Sequence, residues 1–402
     1  VERSPRGRTV LLGWELGGGF GHAHNLLRVA RALAADGHRP VLAAREAVAA
    51  WPLLRDAPFP VLPIPVWSEP APAGFVAASF ADILRLHGYA SDRTLLPLLR
   101  QWDGILDVVR PDLVVLDYAP TLGLAAAGRV PTVDIGNGFC QPPADLPVFP
   151  PYFRDQSTQP PRGAPEDLLA AVRAAQAARG RPAPAALPGI AAGVEAFVTT
   201  VPELDPYREA RRRPPVGPLA PPVAADGIAP RRFFAYLSAE VASTEPALTL
   251  LAAAGLDGEV YVRGATAGQR ERLRGRGLTV HDAPPPLAEV LPRVRAVAHH
   301  AGLGTAEAAL LAGRPQLLLP EHLEHQLYAS AAHRLGVAHY LAGTYPASDV
   351  AEGMRQLLDD PAFARRAAEV AADLRRRWPD GSLGTIVGRC RELLDQPAVA
   401  VA

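Results

Sequence analysis

The 402-residue sequence predicts an α/β protein built as two doubly wound, Rossmann-like domains facing across a cleft. Three observations carry that prediction. Short apolar runs alternate with segments of helical spacing, about six runs in each half. The stretch 214–230 holds six prolines and reads as a semi-rigid spacer between the halves. Each half also has a run that ends in a glycine- and histidine-containing corner and then enters a helix. The boundaries are 1–213, a linker at 214–230, 231–380, and a tail at 381–402.

Bulk properties narrow the class. At 49% apolar residues the chain can bury two cores. Its zero formal charge argues against a nucleic-acid partner. Arginine triplets at 211–213 and 375–377 read as solvated faces and leave a peripheral membrane contact open. No run approaches the roughly 20 apolar residues of a membrane span. Two cysteines, Cys140 and Cys390, make no disulfide framework, so the expected compartment is the reducing cytoplasm.

In the first half, residues 9–14 read as a buried parallel strand. Glu15, Leu16 and three glycines follow, then Phe20, Gly21 and His22. Leu26, Leu27, Val29, Ala30 and Leu33 recur at helical spacing, and Gly37 stops the helix. This is a βαβ start, but it lacks the G-x-G-x-x-G fingerprint and its downstream acid, so dinucleotide-cofactor binding is not expected. Residues 112–117 read as a strand ending in Asp117, at the edge where open α/β sheets bind ligands. As a plain structural residue, Asp117 would cap the next segment. His22-Ala23-His24 lacks an obvious third metal ligand, so no metal site is expected. Between 137 and 188 the chain is irregular, with Phe139, Phe149 and Tyr152 along it and a helix near 166–178.

In the second half, strands are expected at 233–237, 259–264, 278–282, 296–300, 316–319 and 338–341. The central corner runs His299, His300, Ala301, Gly302, Leu303, Gly304 and Thr305, with a helix over 305–312. A helix start offers free N–H groups and a partial positive charge. Glycines let an anion approach the main chain. The tail, 361–396, reads as two helices around Trp378 and Pro379.

That corner, followed by Ala-Gly-Arg-Pro and Leu-Leu-Leu-Pro, resembles the donor-site signature of GT-B glycosyltransferases, in the bacterial natural-product (macrolide-type) branch of the UDP-glycosyltransferase superfamily. Gly-Gly-Gly-Phe-Gly-His and His325-Gln326 bear a weaker similarity to the peptidoglycan N-acetylglucosaminyltransferase. The resemblance implies an inverting, metal-independent and cofactor-free hexosyltransferase. Its expected partners are a UDP- or dTDP-sugar donor and a small-molecule acceptor. It implies that 1–213 binds the acceptor, that 231–380 binds the donor, and that a helix in 381–402 crosses back to the first domain.

Site roles follow the same resemblance. His22 is the expected general base and Asp117 its partner. Ser238, His300, Gly302, Leu303, Gly304 and Thr305 are expected at the donor phosphates, and Glu324 and Gln326 at the sugar. His24, Trp67, Phe139, Phe149 and Tyr152 are acceptor-side candidates, with core packing as the plainer reading of the aromatics.

Three departures from the pattern stand out. His325 separates Glu324 from Gln326, where the acid and the Gln are normally adjacent. Residues 283–286 are Ala-Pro-Pro-Pro, where relatives often carry an aromatic at the nucleobase. Glu307 lies one residue before the usual ribose-binding acid, about 100° away on a helix. The rival readings are a lipid-acceptor glycosyltransferase at the membrane surface, a sugar-nucleotide epimerase, and a non-catalytic nucleotide-sugar-binding partner.

Overall fold

A computed structural model describes residues 7–18, 20–48, 50–72, 75–153, 164–223 and 230–396. Part of the expected linker, 224–229, lies outside the described residues. The first sheet contains β1 (Thr9–Trp14), β2 (Arg39–Ala44), β3 (Val61–Pro63), β4 (Leu113–Asp117), β5 (Thr132–Gly136) and β6 (Glu195–Val198). All pairings are parallel, in the order β3-β2-β1-β4-β5-β6. The second contains β7 (Arg232–Ser238), β8 (Asp257–Arg263), β9 (Thr279–Val280), β10 (Ala296–His299), β11 (Gln316–Leu318) and β12 (Ala338–Tyr340). Its order, β12-β11-β10-β7-β8-β9, is again parallel throughout.

Both sheets follow the same path. The chain steps outward from its first strand, then returns to that strand's other side. Each sheet therefore has a switch point, β1/β4 in one and β7/β10 in the other, where the two neighbouring connections leave in opposite directions. The carboxyl ends of the strands at such a point open a crevice.

The described residues group into two compact units. The first takes those of Val1–Thr200, Tyr207–Leu219 and Ser382–Ala402. The second takes those of Val201–Pro206 and Ala220–Gly381. In the first, the helix Gly21–Ala35 buries Leu26, Leu27, Val29, Ala30 and Leu33 over β1 and β4. Helix Leu383–Asp395 joins the same core through Ile386, Val387, Cys390, Leu393 and Leu394. Arg391 adds a bidentate pair to Asp36, at 2.7 and 2.9 Å. The second core packs Phe233, Leu237, Val260 and Leu317 against Met354 and Leu357.

The expected strands form, with shifted ends. β9 is two residues long, where 278–282 was expected. Asp282 is exposed and paired with Arg274, and the prolines after it cannot donate to a ladder. β3 is an edge strand bounded by prolines, so its pattern is weak in sequence. The helix after β10 begins at Leu303, earlier than 305, because Gly302 itself occupies the N-cap. Cys140 and Cys390 are buried. No helix among the described residues is long and apolar enough to cross a membrane.

Candidate active site

The β1/β4 switch point carries a histidine–carboxylate pair. His22 is the second residue of the helix that follows β1, and Asp117 ends β4. His22 Nδ1 lies 2.7 Å from Asp117 Oδ1, and Asp117 is fully buried. Asn25, one helical turn beyond His22, donates to Asp117 Oδ2 at 3.3 Å. A carboxylate that accepts the Nδ1 proton leaves the lone pair on Nε2, the tautomer of a general base. Asp134 sits on the neighbouring strand. Burial, and then the Asp117 charge, push its carboxyl well above the usual range.

Aromatic rings fix the imidazole. Trp14 stacks on His22 at 5.7 Å between centroids, and Tyr118 lies 5.6 Å away on a tilted plane. Gly17, at φ +77°, completes the enclosure. A Cβ there would stand 3.0 Å from His22 Nε2 and 3.1 Å from the Tyr118 ring. Beneath this corner, Glu15 accepts the N–H groups of Thr121 (2.7 Å) and Leu122 (2.9 Å), at the start of helix Pro120–Ala126. Burial pushes the Glu15 carboxyl up to about 7, against the lowering effect of those bonds.

The other first-half candidates differ in setting. His24 is exposed on the same helix, and partial burial and then Arg28 lower its pKa. Phe139, Phe149 and Tyr152 are buried in one aromatic cluster. Phe139 stacks on Tyr152 at 5.1 Å, and Phe80 links Phe149 to Tyr118. Trp67 is half exposed beside Gly88. A shallow groove runs past Ser79, Val148, Phe149 and Leu187.

The β7/β10 switch point carries the second group. His299 closes β10, His300 follows it, and Ala301 has φ +63°, a left-handed conformation costly for alanine. His299 holds that turn: its Nδ1 accepts the Ala301 N–H at 3.1 Å, and its Nε2 faces Gln316 Oε1 at 2.9 Å. Gln316 then donates to the Ala306 carbonyl at 3.2 Å. Burial drives the His299 pKa down to about 4, which keeps the ring neutral as this relay requires.

The turn presents the N-terminus of helix Leu303–Leu311. Thr305 and Ala306 both donate to the Gly302 carbonyl, so the N–H groups of Leu303 and Gly304 precede the intrahelical bonding and point out of the helix start. A Cβ on Gly304 would meet no protein atom within 4 Å, so glycine keeps this end open. Ser238, at the end of β7, is buried. Its hydroxyl accepts from Glu240 N at 3.3 Å and lies 3.5 Å from Arg263. Its N–H donates to His300 Nε2 at 2.9 Å, while His300 Nδ1 donates to the Leu319 carbonyl at 2.9 Å.

Glu324 and Gln326 lie half-buried on helix Leu323–Arg334, with His325 between them. Glu307 is buried, and its carboxylate accepts the Val201 N–H at 3.1 Å. Among the described residues, no group of three His, Cys, Asp or Glu could hold a metal ion. A groove between Thr244, Gln269 and Leu273 contains none of these residues.

Sequence reasoning missed Asn25, Glu15, Arg263, and the holding role of His299. Only Asn25 had a local signal: it stands three residues after His22, on the same helical face.

Residues 247–392 match the family described as Erythromycin biosynthesis protein CIII-like, C-terminal domain. Elloramycin glycosyltransferase ElmGT of Streptomyces olivaceus is 46% identical over 90 residues, covering 22% of this chain and 22% of that protein. Aclacinomycin-T 2-deoxy-L-fucose transferase of Streptomyces galilaeus is 35% identical over 92 residues, covering 22% and 21%. The matched stretch thus spans about a fifth of the length of these curated relatives. Over nearly the whole chain, the solved structure of CalG4, the calicheamicin glycosyltransferase, superposes with a TM-score of 0.66 at 20% identity. It covers 98% of this chain and 100% of that one. Residues 247–392 thus resemble that family's C-terminal domain, and the chain shares the two-sheet fold of the solved CalG4 structure.

Proposed function

We propose that this protein transfers a sugar, with inversion, from a UDP- or dTDP-sugar to a small natural-product acceptor. The observation that carries the reading is the buried His22–Asp117 pair at 2.7 Å, at a sheet switch point where ligands gather. His22 Nε2 takes the acceptor hydroxyl proton, Asp117 steadies the resulting imidazolium, and the alkoxide attacks the anomeric carbon. The bond to the diphosphate breaks from the opposite face.

On the donor side, the N–H groups of Gly302, Leu303 and Gly304 and the hydroxyls of Thr305 and Ser238 take the developing diphosphate charge. His300 holds this cradle to the ends of β7 and β11. Glu324 and Gln326 bind sugar hydroxyls. His24, Trp67, Phe139, Phe149 and Tyr152 shape the acceptor side. Neither a metal nor a cofactor takes part, so activity survives EDTA. The names of the relatives, an elloramycin glycosyltransferase and an aclacinomycin-T 2-deoxy-L-fucose transferase, support the acceptor class.

The test is His22→Ala. A positioned general base contributes on the order of 10²–10⁴ in rate. The variant should lose about that much kcat while binding donor as wild type does; a fully active variant overturns the assignment.

A further inference from the structure

The chain has no lysine, so its permanently charged side chains of positive sign are arginines. In the second unit Arg231, Arg272 and Arg293 are each gripped by both oxygens of a carboxylate, at 2.6–3.0 Å. Arg263 is held differently. It ends β8, in register with Ser238 at the end of β7. Its Nη2 lies 3.5 Å from Ser238 Oγ and 4.0 Å from Glu240 Oε2, and about half of the side chain is exposed. Neither contact is a strong hydrogen bond, so a fork of five N–H donors stands largely unused.

Ser238 adds a second open donor. The residue is buried, and its hydroxyl accepts the Glu240 N–H at 3.3 Å. Both polar neighbours of that oxygen are donors, so the hydroxyl's own proton has no acceptor among the described residues. A buried hydroxyl proton beside an under-used guanidinium calls for a ligand oxygen.

The position suits the cradle. Neighbouring strands lie about 4.8 Å apart, so in the order β10-β7-β8 Arg263 starts two spacings from the corner after β10. By reaching Ser238 its side chain crosses one of them, and the Ser238 N–H bond to His300 closes the other. Its charge is felt at the corner. Burial first, with Arg263 among the charges that add to it, lowers the pKa of His325, whose Nε2 would stand 3.7 Å from a Cβ on Gly302. Two carboxylates border the same edge: Glu240, and Glu321 at 3.9 Å from His300 Nδ1. Backbone N–H groups and hydroxyls carry no full charge, so an anion bound here needs a cation to offset those acids.

We propose that Arg263 is the counter-ion of the leaving group: its guanidinium turns from Glu240 onto the donor's diphosphate and grips the free nucleoside diphosphate more tightly than the sugar conjugate. This rests on the reading that the Leu303–Leu311 helix start receives the diphosphate. As the bond to the anomeric carbon breaks, its electron pair stays on the diphosphate oxygen, whose group gains one negative charge, while the acceptor oxygen forms the new bond. Arg263 gives up no proton. A guanidinium paired with phosphate oxygens is held more strongly as their charge grows, so the contact favours the separating state over the intact donor.

The test is calorimetry on the full chain at pH 8, where the terminal phosphate is ionised. The probes are UDP, dTDP and the glucose conjugate of each. Hydrogen bonds to charged groups are worth about ten- to hundredfold in affinity. For whichever base binds, Arg263→Gln should weaken the free diphosphate by about that factor and the conjugate by at most a few-fold. Arg263→Lys keeps the charge and should recover most of the loss. Unchanged diphosphate binding in Arg263→Gln, or an equal loss for diphosphate and conjugate, overturns the inference and leaves the donor-site reading standing. If none of the four probes binds the wild type, both fall.

Discussion

At the residue scale the base site depends on which nitrogen of His22 carries the proton. Asp117→Asn tests this directly. An amide facing Nδ1 can present its own N–H, which moves the ring proton to Nε2 and abolishes the base. Turnover should fall by about 10²–10⁴, and circular dichroism should be unchanged. Gly17→Ala tests the enclosure. Its φ of +77° costs an alanine roughly 1–2 kcal/mol, and the new methyl would stand 3.0 Å from Nε2. We expect a lower unfolding midpoint and at least about a tenfold loss of kcat, measured as nucleotide release; wild-type turnover would show that the imidazole is not confined there. His22 and Asp117 were legible as a pair because each sits at a strand end named by its own local pattern. The commitment of both His300 nitrogens was not legible, since its partners lie 62 and 19 residues away in sequence.

At the element scale, fully buried parallel strands write themselves as apolar runs, which is why β1 and β4 were readable nearly to the residue. The short edge strands β3 and β9 bury little, and their sequence signal is correspondingly thin. Glu15 is a different case. A charge after an apolar strand reads as a solvent-facing loop residue, yet here it caps helix Pro120–Ala126 from a distance. Its folded pKa of about 7 lies above the ordinary 4.5. A raised pKa means that its stabilising contribution is complete below about pH 4.5 and is lost as pH rises through about 7. The slope is at most about 1.4 kcal/mol per pH unit. Glu15→Gln removes this titration. Urea unfolding at a series of pH values between 4.5 and 8 should show wild type losing stability relative to the variant. Parallel profiles would mean that the carboxyl titrates normally.

At the scale of the whole molecule, the first unit is assembled from three pieces of chain. Ile386, Val387, Cys390, Leu393 and Leu394 are all buried in its core. At about 1.5–3 kcal/mol for each buried apolar side chain, the helix that carries them contributes roughly 7–15 kcal/mol. That equals the entire stability of a typical domain, about 5–15 kcal/mol. A chain ending at Gly381 should therefore lose the first unit and keep the second. Hydrogen exchange should show amides of β1 and β4 unprotected while those of β7 and β10 stay slow. Protection in both sheets would mean that the helix is dispensable.

That discontinuity also sets an order of events during synthesis. Every strand of the first sheet leaves the ribosome before any of the second, yet its hydrophobic interior also needs Ile386, Val387, Leu393 and Leu394, which are made after all of the second unit. The later-made unit, whose segments have all emerged by Gly381, is complete first. The earlier-made one waits with an apolar face uncovered, and that interval is when a chaperone would find it.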